Sequence, residues 1–158
     1  MGAVYADKIR EIAATTFEIT CYMFPLEEWE IEDEVLTVPK VGDLRSVVTF
    51  DGAAEGGMVI KPSDDLLGAM AGNMLGVEEA DIEQKKGALC EIANIICGNT
   101  VPLFAKNKKI CYIRPPRIAE SDEDTDRTFG HMSKESLNVY LDEGVAEITI
   151  YYSQEGER

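Results

Sequence analysis

The sequence predicts an α+β fold in which helices pack on a mostly antiparallel sheet of about six strands. Three observations predict it. Apolar residues recur at helical spacing in three stretches, short alternating runs rich in β-formers fill much of the rest, and turn signals of hairpin length separate those runs. The resulting order is one helix, three strands, two helices and about three more strands. A chain of 158 residues fits a single domain spanning 1–158, and at that length roughly 70% of the unfolded chain's surface can be buried.

The first helix is predicted over Asp7 to Phe24, where Ile9, Ile12, Ala13, Thr16, Phe17, Thr20 and Phe24 step by threes and fours and Pro25 acts as a stop. An acidic surface segment, Glu27 to Glu34, leads into three strand-like runs, Val35 to Val38, Arg45 to Phe50 and Gly57 to Lys61. The glycine-containing turns between them suit a meander. Pro62-Ser-Asp-Asp65 opens a second, short helix, with Ser63 as N-cap, acids in the first turn and Gly76 at the close. Asp81 with Gln84 three residues on has the form of a capping box for the central helix, Asp81 to Ala105, which Pro102 should kink or end. Lys109 to Ile113 and Arg117 to Ala119 read as strand broken by Pro115-Pro116, at an edge or in a loop. The charge run Glu120 to Asp126 reads as a solvated, mobile loop. Ser136 to Leu141 and Val145 to Tyr152 form a hairpin through Asp142-Glu-Gly144, and the tail Ser153 to Arg158 should fray. Glu11-Ile-Ala-Ala14 echoes Glu91-Ile-Ala-Asn94, which points to two pseudo-repeated halves, only the second keeping the polar pair.

Composition removes several classes of function. A net charge of −15 with scattered Lys and Arg argues against nucleic acid. No apolar run approaches the roughly 18–20 residues of a membrane helix, and Met1 to Asp7 has no signal-peptide pattern, so a cytoplasmic protein is expected. Cys21, Cys90, Cys97 and Cys111 with the lone His131 match no zinc spacing and read as reduced, mostly buried thiols. His131 lies in a polar segment with no partner near in sequence, so it is not read as catalytic.

What remains is the central helix. Leu89, Ile92, Ala93 and Ile96 fall on one side, with Leu103 continuing the row, while Gly87, Glu91, Asn94 and Gly98 fall on the other. The polar face sets a carboxylate beside a carboxamide, between glycines that leave room for another molecule. Spacing alone reads Glu91 as an exposed helix glutamate paired with Lys86 or another lysine, and Asn94 as bonded to its own backbone or to water. Gly98 serves either clearance or close packing of the first helix. With no Ser/His/Asp arrangement, metal cluster or phosphate-cradling loop, the chain shows no complete active site of its own. A Glu and an Asn on a protruding face suit completing somebody else's.

Glu91-x2-Asn94 followed by 21 residues and Pro116 resembles the signature of the CheC/CheX/FliY chemotaxis phosphatases, and the single intact motif with a degenerate first copy resembles CheX more than CheC. The resemblance implies a CheC-like fold and hydrolysis of the aspartyl-phosphate on a CheY-like response regulator in chemotaxis or related two-component signalling. It implies that Asn94 and Glu91 are catalytic, Asn94 orienting the attacking water and Glu91 pairing with the regulator's lysine, and that Gly87 and Gly98 belong to the partner-binding face. Pro116 is implied as a structural part of the motif. No cofactor of its own is implied; Mg²⁺ is expected on the regulator, as is a homodimer of this chain. The family's opening Asp or Ser falls on Gly87, so whatever that side chain contacts in relatives is absent here. A non-catalytic adaptor that binds a response regulator is the second reading, and a small-molecule-binding α+β domain the third.

Overall fold

The structure is a computed structural model describing residues 2–31, 40–104 and 110–153. The expected strand Val35 to Val38, together with Ala105, Lys109 and the tail beyond Ser153, lies outside the described residues. The first helix, α1, runs Gly2–Cys21, earlier at both ends than its periodicity indicates. Ile9, Ala13, Phe17 and Cys21, four residues apart, form its fully buried stripe. Its stop is a left-handed residue rather than Pro25: Tyr22 has φ 58, and the reversal lets the Tyr22 and Met23 N–H groups donate to the carbonyls of Glu18 and Phe17, both at 3.2 Å. Phe24 therefore leaves the helix and is exposed.

Strands β1 (Arg45–Gly52) and β2 (Gly56–Pro62) pair antiparallel. The second helix, α2, runs Asp64–Leu75 between the expected caps, with Ser63 accepting from the Leu66 N–H and Gly76 at φ 69. The central helix, α3, is Ile82–Thr100. Its capping box is closed both ways, Gln84 N–H to Asp81 Oδ1 at 2.8 Å and Asp81 N–H to Gln84 Oε1 at 2.9 Å. At Pro102 it tightens into a 3-10 turn, Val101–Leu103. Strands β3 (Cys111–Ile113) and β4 (Arg117–Ala119) both pair with β1 and form one interrupted edge. The prolines, which lack an N–H, fall in the interruption, and Arg114 N–H keeps contact with the Thr49 carbonyl at 2.8 Å.

The acidic run is a helix, not a loop: α4 spans Asp122–Phe129. Asp122, Glu123 and Asp124 occupy its first turn, where carboxylates complement the helix dipole. Thr125 and Phe129, one turn apart, are both buried. A charge-rich composition hid this two-residue apolar stripe. Strands β5 (Ser133–Leu141) and β6 (Gly144–Tyr152) form the expected hairpin, β5 starting three residues early. At Gly144 φ is 153, and a side chain there would collide with Ser63 Oγ, which caps α2 and also accepts from the Val145 N–H at 3.3 Å.

The sheet order is β3-β1-β2-β6-β5, with β4 beside β3 along β1 and every pairing antiparallel. Helices α1, α2 and α3 cover one face, α1 against β5, α2 against β6 and α3 against β1 and β2. Val48, Phe50, Met58, Ile60, Ile148 and Ile150 meet them in the main core. Helix α4 covers part of the other face, where Phe129 stacks on Tyr151 at 4.8 Å between ring centroids. Gly57 has no side chain because a Cβ would strike the Phe129 ring.

On that face two carboxylates tie α4 to the sheet: Asp124 pairs with Arg117 on β4, and Asp122 makes the more buried link. Asp122 bridges Arg45 on β1 and Lys61 on β2, the latter at 2.5 Å. Arg45 is only 8% exposed and Lys61 17%, against 61% for Asp122. The hydrogen bond from Lys61, aided by the Lys61 and Arg45 charges, lowers the Asp122 pKa below its ordinary 3.8. A carboxylate with a lowered folded pKa contributes stability above its unfolded pKa, and loses it as pH falls through the folded value. Asp122→Asn is therefore expected to lower stability near pH 7 by about 1 kcal/mol, since solvent around the largely exposed carboxylate screens both pairs. The difference from wild type should shrink below pH 4, which urea unfolding across that range measures.

Candidate functional site

Helix α3 carries the site because its two faces have opposite environments. Leu89, Ile92, Ala93 and Ile96 are fully buried, and Leu103 continues the row half-buried. On the far side Gly87, Glu91 and Asn94 are exposed and Gly98 half-buried. Residues three and four apart on a helix stand about 5–6 Å apart at Cβ, so the Glu91 carboxylate and the Asn94 carboxamide reach the same small volume of solvent. No ion pair joins Glu91 to Lys86 or to another described residue. Asn94 makes no side-chain hydrogen bond among the described residues, whereas Asn99, five residues on, bonds back to the Ile95 carbonyl at 3.1 Å. The expected local partners of the polar pair are thus absent among the described residues.

The flanking glycines are not demanded by the fold. A Cβ at Gly87 would meet nothing within 4 Å, and one at Gly98 would touch only Ile113 Cδ1, at 3.8 Å. Gly98 therefore faces the β3 edge and does not serve the packing of α1. Pro116 is half-buried in the interruption between β3 and β4. His131 is exposed in the turn between α4 and β5.

All four cysteines are free thiols. Burial pushes Cys97 up to about 12, with Cys111 adding to it, and Cys21 up to about 11, with Glu143 adding to it; burial also raises Cys90. A protonated thiol is a poor nucleophile, so Cys90, although it neighbours Glu91, brings no activated nucleophile to the stripe. What the stripe offers is a carboxylate for a cation, and a carboxamide that both donates and accepts. Not legible from the sequence, a groove of about 500 Å³ opens between α1 and the C-terminal end of α3, with Glu11, Ile12, Thr15, Asn99 and Leu103 among its walls.

Glycine in a helix interior costs roughly 1 kcal/mol relative to alanine, and nothing in the fold offsets that at position 87. Gly87→Ala should raise stability by about 0.5–1 kcal/mol in urea unfolding; destabilisation would show that the chain itself needs this glycine.

The family model described as Chemotaxis phosphatase CheX matches residues 44–141, a span that holds the whole of α3, Pro116 and five of the six strands. No curated protein matches. Among solved structures, the chain is similar to a chemotaxis protein CheX from Desulfovibrio desulfuricans, at 15% identity and TM-score 0.70 over 94% of this chain and 99% of that one. It is similar to the structure of the CheX-CheY-BeF3-Mg+2 complex from Borrelia burgdorferi, at 17% identity and TM-score 0.64 over 95% and 98%. It is also similar to FliY from Thermotoga maritima, at 16% identity and TM-score 0.54 over 99% and 93%. At these identities the likeness is one of fold.

Proposed function

Because the chain belongs to the CheX family of chemotaxis phosphatases, we propose that it hydrolyses the aspartyl-phosphate of a CheY-like response regulator, using the Glu91–Asn94 stripe as its half of a shared active site. The observation that carries this reading is the pair itself, two polar side chains exposed on a helix whose opposite face is fully buried, with no partner among the described residues. The solved complex from Borrelia burgdorferi, in which a relative of the same fold is seen with CheY, BeF3 and Mg+2, supports the choice of partner.

In this mechanism the regulator brings the phosphoryl group, its Mg²⁺ and a lysine. Glu91 pairs with the lysine and so fixes the register of α3 against the regulator. The Asn94 carboxamide accepts from, or donates to, one water and holds it in line with the bond that breaks. The water oxygen bonds to phosphorus, the aspartyl oxygen leaves as a free carboxylate, and the water's proton departs with the inorganic phosphate or to solvent. Phosphoryl transfer asks chiefly for positioning and for stabilisation of spread charge, and a water-orienting amide is the device that GTPases use with a glutamine. A rigid helix suits that demand, since an aimed group that need not reorganise acts fully at the moment of reaction.

With a phosphorylated CheY-type receiver and Mg²⁺, the wild-type chain should speed phosphate release, and Asn94→Ala should lose about 10²–10³ of that acceleration while binding nearly as well. Equal rates for the two proteins would remove Asn94 from the mechanism. Gly87 motivates a second reading, a regulator-binding adaptor without turnover, because the motif's opening side chain is missing; complex formation with no acceleration by wild type would favour it. Two copies are further proposed to associate, as the resemblance to CheX implies. Light scattering at micromolar concentration should give twice the chain mass, and a monomer would overturn the pairing.

A further inference from the structure

The exposed stripe of α3 is open at one end and closed at the other. At its N-terminal end a Cβ on Gly87 would meet nothing within 4 Å. Val101 follows Asn94 by seven residues, which turn a helix to within about 20° of two full revolutions, so both project from nearly the same face. Asn94 is exposed there and Val101 is buried. The stripe therefore closes within two turns of Asn94.

The closing side chain is Ile113 on β3. Its Cδ1 comes within 3.8 Å of where a Cβ on Gly98 would stand. Gly98 is one turn past Asn94, and residues four apart on a helix stand about 5–6 Å apart at Cβ, so the Ile113 methyl lies at most about 10 Å from the Asn94 Cβ, toward Val101. The backbone at Ile113 is pinned to β1. Ile113 is in register with Phe50, the next N–H donates to the Thr49 carbonyl at 2.8 Å, and the Arg114 guanidinium pairs with Asp51 at 2.8 Å. Ile113 is only half-buried, so part of its surface remains for a partner or a water to meet.

We propose that Ile113 is a positioning residue of the shared site: it walls the C-terminal end of the stripe, so that a receiver seated on Glu91 and Asn94 confines the attacking water between the Asn94 carboxamide and an apolar surface. The inference rests on the proposed function and deepens it, by assigning the water-excluding side of the site to β3. A hydrocarbon wall offers water no hydrogen bond, so a water held there finds its partners at Asn94 and the phosphoryl group. Water reaching the amide from the Val101 end would compete for both, and excluding it strengthens the polar contacts that remain. Gly98 serves the arrangement by leaving Ile113 room to lie on the helix beside Asn94.

The test measures phosphate release from a phosphorylated CheY-type receiver with Mg²⁺ over a range of receiver concentrations, which separates kcat from KM. Calorimetry gives the affinity of each variant for the same receiver loaded with beryllofluoride, and circular dichroism checks that each is folded. Ile113→Thr keeps the β-branched shape, removes Cδ1 and turns a hydroxyl toward the water; it should lower kcat about tenfold with KM and affinity within about twofold of wild type. Ile113→Val loses only Cδ1 and should lower kcat about threefold, which decides the matter if the Thr variant does not fold. Ile113→Leu restores the apolar volume and should return kcat to within about twofold of wild type. An unchanged kcat in the Thr and Val variants would overturn this role and leave the Asn94 mechanism standing. So would a loss of affinity as large as the loss of rate, which makes Ile113 a docking contact, or a Leu variant as slow as Thr. A wild-type chain that does not speed phosphate release would overturn the proposed catalysis and this role with it.

Discussion

The burial of Leu89, Ile92 and Ile96 against β1 and β2 is the contact on which the candidate site depends. Each such side chain contributes about 1.5–3 kcal/mol when removed from water, enough to make the orientation of α3 one of the most strongly determined features of the fold. Because the helix is a rigid rotor, fixing the buried face also fixes the direction of Glu91 and Asn94 on the other. The capping box at Asp81 and Gln84 and the proline-imposed turn at Val101–Leu103 set its ends. The polar pair is thus positioned without a side-chain hydrogen bond or ion pair to the rest of the described chain.

That separation explains why the site was legible in the sequence. The stripe needs only helical periodicity and local caps, and both are written within about twenty residues. The same holds for α2, whose Ser63 and Gly76 caps appear where expected, and for the β5–β6 hairpin. Features that depend on distant residues were not legible. Helix α4 was hidden because Asp122 finds its counter-charges on Arg45 and Lys61, 77 and 61 residues away, so the run reads as uncompensated charge until the sheet is assembled. The end of α1 was hidden because Tyr22 takes the left-handed conformation usually left to glycine or asparagine. The groove belongs to two helices that meet only in the folded protein, and neither wall carries a pattern by itself.

The two faces of the sheet are built by different means, and the difference follows from area. Three helices give the front a continuous apolar core from Ile9 to Ile150. The back has one eight-residue helix, Val47, Val59, Phe129 and Tyr151, and a bridge of charges. A helix this short has little intrinsic stability, so its attachment rests on one stacked ring, the Asp122 carboxylate shared by two mostly buried cations, and the Asp124–Arg117 pair. Stability of the back face is consequently coupled to pH through Asp122, while the front, which positions α3, has no such dependence in its apolar contacts.

An exposed Glu and Asn cost a folded protein almost nothing, since water satisfies both. This frees position 91 and position 94 from any structural duty and lets the partner decide their worth. When a second protein excludes water from the stripe, each group must be matched or it opposes binding, because an unpaired buried charge or amide is expensive. A receiver with a lysine opposite Glu91 and an ordered water opposite Asn94 is matched; a surface without them is not. In the proposed mechanism, selectivity and catalysis then share one requirement, desolvating a polar pair that only the right partner can satisfy. Gly87 offers no group to be matched and no bulk to exclude water, so in the proposed complex the seal at that end of the stripe would fall to the partner's own side chains.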